Sequence, residues 1–176
     1  MAAVQSITLD SPLHTLLDNI QGCLGSGIYY AALVTALTIP DICAALESDG
    51  AWATREKYKD WYKTYLGGNY PNLTPDDCYY LRCGVLHQGK LGRHGMQYSR
   101  VLFTVPNRQN NVFHNNIIND ALNLDVVIFC NDVVAAAQAW YELKKDDPFV
   151  LANLPNLVRD RPEGLSPYMV GVPLIA

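Results

Sequence analysis

Arg82 and His87 stand five positions apart in the stretch YYLRCGVLHQGK, Tyr79 to Lys90. A guanidinium is permanently charged and forks onto two phosphate oxygens, whereas an imidazole changes protonation near neutral pH. Together they supply what displacement at phosphorus needs when an adjacent 2′-hydroxyl is the nucleophile. The imidazole takes the hydroxyl proton or protonates the 5′-oxygen that leaves, and the cation holds charge building on the phosphate oxygens. Such a reaction requires no metal. Lys90, Arg93 and His94 follow in the chain and are candidate contacts to a phosphate backbone. Further on, His114 and Asn116 in the run HNN are polar enough to touch a ligand, although such a run also suits a turn.

Two other readings compete for the same residues. Arg82 is equally well placed to pair with Asp77 or Asp41, with His87 acting as a favourable charge at a helix C-terminus. Cys78, Cys83, His87 and His94 also form C-x4-C-x3-H-x6-H, but that spacing fits none of the usual zinc patterns, and both cysteines fall in an apolar helical pattern. Neither a metal nor a cofactor is therefore expected. The chain has no glycine-rich phosphate loop, nucleophile elbow or HExxH motif.

Charge is unevenly spread around the pair. The net charge of −4 argues against a general nucleic-acid binder. From Cys78 to Asn119, however, there is no Asp or Glu, while Arg82, Lys90, Arg93, Arg100 and Arg108 all fall there; the other 8 bases share the rest of the chain with all 17 acids. That span is where an anion is expected to sit. A polar stretch that lacks acids by chance would look the same.

The elements that must carry these residues follow from periodicity. Ser11-Pro12 opens a first helix as N-cap and N1, and Leu13, Leu16, Leu17, Ile20 and Leu24 recur at helical spacing until Gly25-Ser26-Gly27. The next segment, IYYAALVTALTIPDICAALE, is apolar on nearly every face and reads as a central helix, with Pro40 kinking or restarting it. Pro40 and Asp41 interrupt the run and basic flanks are lacking, so a membrane span is not expected. A third helix starts at Thr54, with Tyr58, Trp61, Tyr62 and Tyr65 in one stripe among basic residues; that stripe suits a core face better than a nucleic-acid platform. Thr74-Pro75 starts the helix that holds Arg82 and His87, and Gly89 ends it.

Beyond Gly92 the pattern turns strand-like. SRVLFTV, Ser99 to Val105, is expected to pair with a return strand from Asn111 to Ile118 as a β-hairpin around Pro106-Asn107. Asp125 leads a long helix, and from Pro148 a proline-rich tail is expected to wrap the surface, its end YMVGVPLIA adding a strand to the hairpin. The chain is thus expected to be mainly α: one domain over 1–176, a helical core at about 11–90 and 125–145, a hairpin at about 99–118 and a tail at 148–176. Five scattered cysteines point to reduced, buried thiols. The start has neither a basic n-region nor an apolar h-region, so a cytoplasmic location is expected.

Arg82 and His87 lie about 140° apart around an ideal helix and about 7.5 Å along it, so one regular helix does not bring them to one atom. Either the helix unwinds near Gly84 or Gly89, or a second subunit presents its own pair across a two-fold axis. At this point the residues resemble a known group. Arg-x4-His at the end of a helix, within a small bundle of about five helices that includes an almost wholly apolar one, resembles the HEPN superfamily, and LRCGVLHQG resembles its Abi-like or Apea-like branch. The resemblance covers about Ser11 to Gly89 plus the helix from Asp125. It implies a homodimeric, metal-independent endoribonuclease with Arg82 and His87 catalytic, of the kind found in toxins, phage defence and RNA processing. RNA and an antitoxin or defence-system protein are then the expected partners. Some members bind nucleotides or proteins without cutting. The residue after the arginine is usually polar in that superfamily, whereas Cys83 stands here.

Overall fold

Ser11 and Pro12 start the first helix where the sequence places its N-cap and N1 residues. In this computed structural model, which describes residues 11–91, 95–109 and 111–176, α1 runs Pro12–Gly25, α2 Tyr29–Leu46, α3 Arg55–Tyr65 and α4 Pro75–Gln88. Three strands follow, β1 Arg100–Thr104, β2 Asn116–Ile118 and β3 Ala121–Asp125, and then α5 Val126–Lys144 and α6 Pro148–Asn153. The protein is mainly α. The apolar helix α2 is the hub, packed by α1, α3, α4 and α5. Its Ala32, Leu33, Ala36, Leu37, Ile39 and Cys43 are buried together with Tyr58 and Tyr62 of α3 and Trp140 of α5. An all-apolar sequence is what a helix surrounded by others requires.

Pro40 does not break α2. The helix is continuous through it, so of the two expectations, a kink or a restart, the restart does not occur. A proline removes one N–H and its ring crowds the carbonyl a turn earlier. Here the Tyr58 hydroxyl of α3 donates to the neighbouring Leu37 carbonyl at 3.2 Å, so packing supplies a donor beside the disturbed turn. Among the described residues α2 is the one helix long and apolar enough to cross a membrane, and half of it is buried within the molecule.

The expected hairpin pairs differently. Ser99 to Val105 does not return on Asn111 to Ile118; β1 runs parallel to β3 in the register Arg100↔Ala121 to Thr104↔Asp125. The antiparallel partner of β3 is β2, with Asn116↔Asn123 and Ile118↔Ala121, giving the order β1-β3-β2. The reversal lies at Asn119 and Asp120, whose φ values of 50° and 60° suit the type I′ geometry that Asn and Asp tolerate. All five residues of β3 are buried, as befits a central strand. Asp125 then caps α5 directly, its carboxylate accepting from the Val127 and Ile128 N–H groups at 2.9 and 3.0 Å.

The tail also departs from expectation. Asp147 caps α6 with Pro148 at N1, and Val150 is fully buried, so the tail begins as a sixth helix rather than as an extended surface-wrapping chain. Its last residues do not join the sheet. Leu174–Ile175 pairs with Asp160–Arg161, and Met169–Val170 pairs with Gly164–Leu165. At Gly164, φ 83°, an added Cβ would overlap the Met169 carbonyl, so this local pairing depends on glycine.

Candidate functional site

Helix α4 is built to be rigid at both ends. Thr74 Oγ1 accepts from the Asp77 N–H at 3.1 Å and Pro75 occupies the first turn. At the other end Gly89 adopts φ 62°, and the N–H groups of Gly89 and Lys90 both return to the Gly84 carbonyl. The helix is regular through Gly84 and ends at Gln88, with Gly89 as its cap. Unwinding near Gly84, one of the two ways of joining Arg82 to His87, is therefore not what the chain does.

Arg82 faces α2. Its Nε donates to Asp41 Oδ2 at 2.5 Å, and Nη1 lies 3.9 Å from Cys83 Sγ. Both charged side chains are about four-fifths buried. Loss of water raises the Asp41 carboxyl above the ordinary range despite the opposing pull of the guanidinium. Burial pulls Arg82 down, but Asp41 and Cys83 outweigh it and the guanidinium is held more firmly charged. The pair lines a groove of about 380 Å³ between α2, the loop after it and the tail; Trp52, Asn153 and Asn156 also line it. Two Arg82 nitrogens, Nη1 and Nη2, carry N–H groups not spent on Asp41.

His87 stands exposed on the last turn, on a different face from Arg82. Lys90 is exposed just past Gly89 and lines a second groove with Tyr30, Met96, Tyr98, Arg100 and Asp120. Arg93 and His94 lie outside the described residues. His114 and Asn116 have partners that belong to the sheet. His114 Nδ1 accepts from the Asp125 N–H at 3.2 Å and its ring meets Tyr70 edge-on, while the backbone of Asn116 in β2 pairs with Asn123 of β3 and the Asn116 side-chain oxygen is buried without a partner among the described residues. The structure thus gathers Arg82 with Asp41 and Lys90 with Arg100, and ties His114 to the junction of β3 and α5.

The remaining candidates resolve into packing. Tyr58, Trp61 and Tyr62 of the aromatic stripe are buried, and its cations point outward, where Arg55 and Lys59 share Asp76 at 2.6 and 3.0 Å. Cys78 is buried with Sγ 3.4 Å from the Tyr58 hydroxyl, at the opposite end of α4 from exposed His87. Among the described residues no three of His, Cys, Asp or Glu gather into a group able to hold a metal.

Acids also return in space to the span that lacks them in sequence. Asp41 meets Arg82, Asp77 accepts from the Gln97 N–H at 3.3 Å, and Asp120 accepts from the Ser99 N–H at 3.2 Å. Lys90, Arg100 and Arg108 are exposed, and no described acid forms an ion pair with them. The residue that sequence reasoning passed over is Trp52. Its only signal was a lone tryptophan in a turn-forming stretch, Ser48-Asp49-Gly50-Ala51-Trp52. Comparison of the chain with protein-family models, curated proteins and solved structures found no match.

Proposed function

We propose that the chain is a HEPN-type, metal-independent endoribonuclease that works as a homodimer, with Arg82 holding the scissile phosphate and His87 moving the proton. The observation that carries this reading is the placement of an arginine at a groove and an exposed histidine on the last two turns of one intact, capped helix. Because the two side chains diverge, a second subunit is what completes a site. One His87 then takes the 2′-hydroxyl proton while the other protonates the departing 5′-oxygen, and Arg82 neutralises the phosphorane charge through its uncommitted N–H groups. Lys90 lies one step beyond the helix to meet a flanking phosphate. A toxin or phage-defence setting fits an enzyme that needs no metal.

The test is cleavage of single-stranded RNA in the presence of chelator. His87→Ala should abolish cutting while changing stability by less than about 1 kcal/mol, because an exposed helix-end side chain contributes little to the core. Arg82→Ala should also abolish it. Mixing the two inactive variants should not restore activity, because a mixed dimer carries one His87 and the reaction uses two. A wild-type protein that leaves RNA intact with and without chelator would sink the reading. The ion pair of Arg82 with Asp41, together with Cys83 where a polar residue is usual, favours a second reading. In it the same fold is a non-catalytic dimeric module that binds a nucleotide or a protein partner.

A further inference from the structure

Trp52 is the one tryptophan on the surface. Trp61 and Trp140 are buried, whereas Trp52 is 76% exposed. It follows two residues with left-handed backbone, Gly50 at φ 72° and Ala51 at φ 53°. Alanine occupies that region at a cost, so the turn that sets the indole outward is maintained against local preference. The indole borders the groove of about 380 Å³ that Arg82 and Asp41 also line, a size in the range of small-ligand pockets. Of the other lining residues, Asn153 spends its Nδ2 on the Leu46 and Ser48 carbonyls at 3.0 and 2.9 Å, and Asn156 spends its Nδ2 on the Ala152 carbonyl at 3.3 Å. Each carboxamide therefore has its oxygen left to offer. With Asp41, the polar rim of the groove is rich in acceptors, beside one aromatic plate and one cation.

We propose that this groove is a nucleobase pocket for the nucleotide next to the phosphate held by Arg82, and that it prefers bases with an exocyclic amino group over uracil. The proposal rests on the reading of Arg82 as a phosphate contact, but not on cleavage. A base stacks on the Trp52 face, as single-stranded nucleic acids do on aromatic side chains. Its amino group donates to the oxygens of Asn153, Asn156 or Asp41, a donor that uracil lacks and cytosine has. The remaining Arg82 N–H groups face the attached phosphate. The ion pair with Asp41 then has a use in binding: it fixes the guanidinium and supplies a carboxylate acceptor beside it.

Titration of the full chain with cytidine and uridine hexanucleotides, following tryptophan emission, tests this directly. CMP and UMP in parallel separate recognition of an RNA strand from capture of a free nucleotide. Quenching by the cytidine hexamer, weaker with uridine, is expected. Trp52→Ala should abolish the quenching and weaken binding on the order of tenfold, while Trp52→Phe retains most of the affinity. Melting temperature should not change, since Trp52 is exposed. If the cytidine oligomer quenches Trp52 but RNA is never cut, the pocket stands and the ribonuclease reading falls. If RNA is cut but Trp52→Ala cuts cytidine and uridine sites with unchanged KM, the pocket falls and the ribonuclease reading stands. Equal affinity for the two pyrimidines overturns the amino-group preference.

Discussion

Arg82 and Asp41 are 41 positions apart in the chain and 2.5 Å apart in the fold. The arginine was legible as a candidate from its type and its distance to His87, and Asp41 only as one of two acids able to meet it. Burial turns that pair into a fixed contact rather than a mobile surface charge, because a largely buried guanidinium without a partner is costly. Burial also decides the thiols. Cys78 and Cys130 are pushed up to about 12, chiefly by loss of water, and Cys43 lies well above the usual thiol range for the same reason. Cys23 and Cys83 are half-buried. An aromatic disulfide reagent at mildly alkaline pH should therefore label two thiols in the native protein and the other three only after denaturation. Rapid labelling of all five would contradict the packing around α2.

At the scale of elements, Asp147-Pro148, which caps α6, passes in the sequence for the start of a tail, whereas the capped boundaries of the first five helices were readable. Ser11-Pro12, Thr54, Thr74-Pro75, Gly89 and Asp125 all stand where helices start or stop. Strand pairing was not, because a strand's period shows which residues face the core but not which strand lies beside it. Asn119-Asp120 carried the missing signal as a dipeptide suited to a hairpin turn. The central place of β3 has a measurable consequence. Leu122 is fully buried between Val101 of β1 and Ile117 of β2, and Leu122→Ala should cost about 2–5 kcal/mol in urea unfolding. Ile117, about half exposed on the edge strand, should cost less than about 1 kcal/mol when changed to Ala. Equal losses would mean that β1 pairs elsewhere.

Across the whole molecule, the described cations of the acid-free span differ in whether an acid meets them. Arg55 and Lys59 are paired with Asp76, and Arg82 with Asp41, whereas Lys90 and Arg100 border one groove without an ion pair to a described acid. RNA affinity should therefore fall as salt rises. Lys90→Ala with Arg100→Ala should flatten the slope of log K against log salt by about 1.4, the release expected for two phosphates on a single strand. Arg55→Ala with Lys59→Ala should leave the slope unchanged. A slope lost only through the second pair would move the binding face to α3.

The sequence by itself determined the mainly helical class, the apolar hub α2, the caps of α4 and the types of residue at its C-terminal end. These depend on local preferences and on the period of apolar side chains, both carried by neighbours in the chain. Only the tertiary structure decided that α2 runs unbroken past Pro40 and that β1 lies parallel to β3. It alone brought Asp41, Asp77 and Asp120 back to the acid-free span, and set Trp52 at the mouth of the groove beside Arg82. Those outcomes depend on which distant surfaces exclude water together, and such pairings leave no period in a single chain.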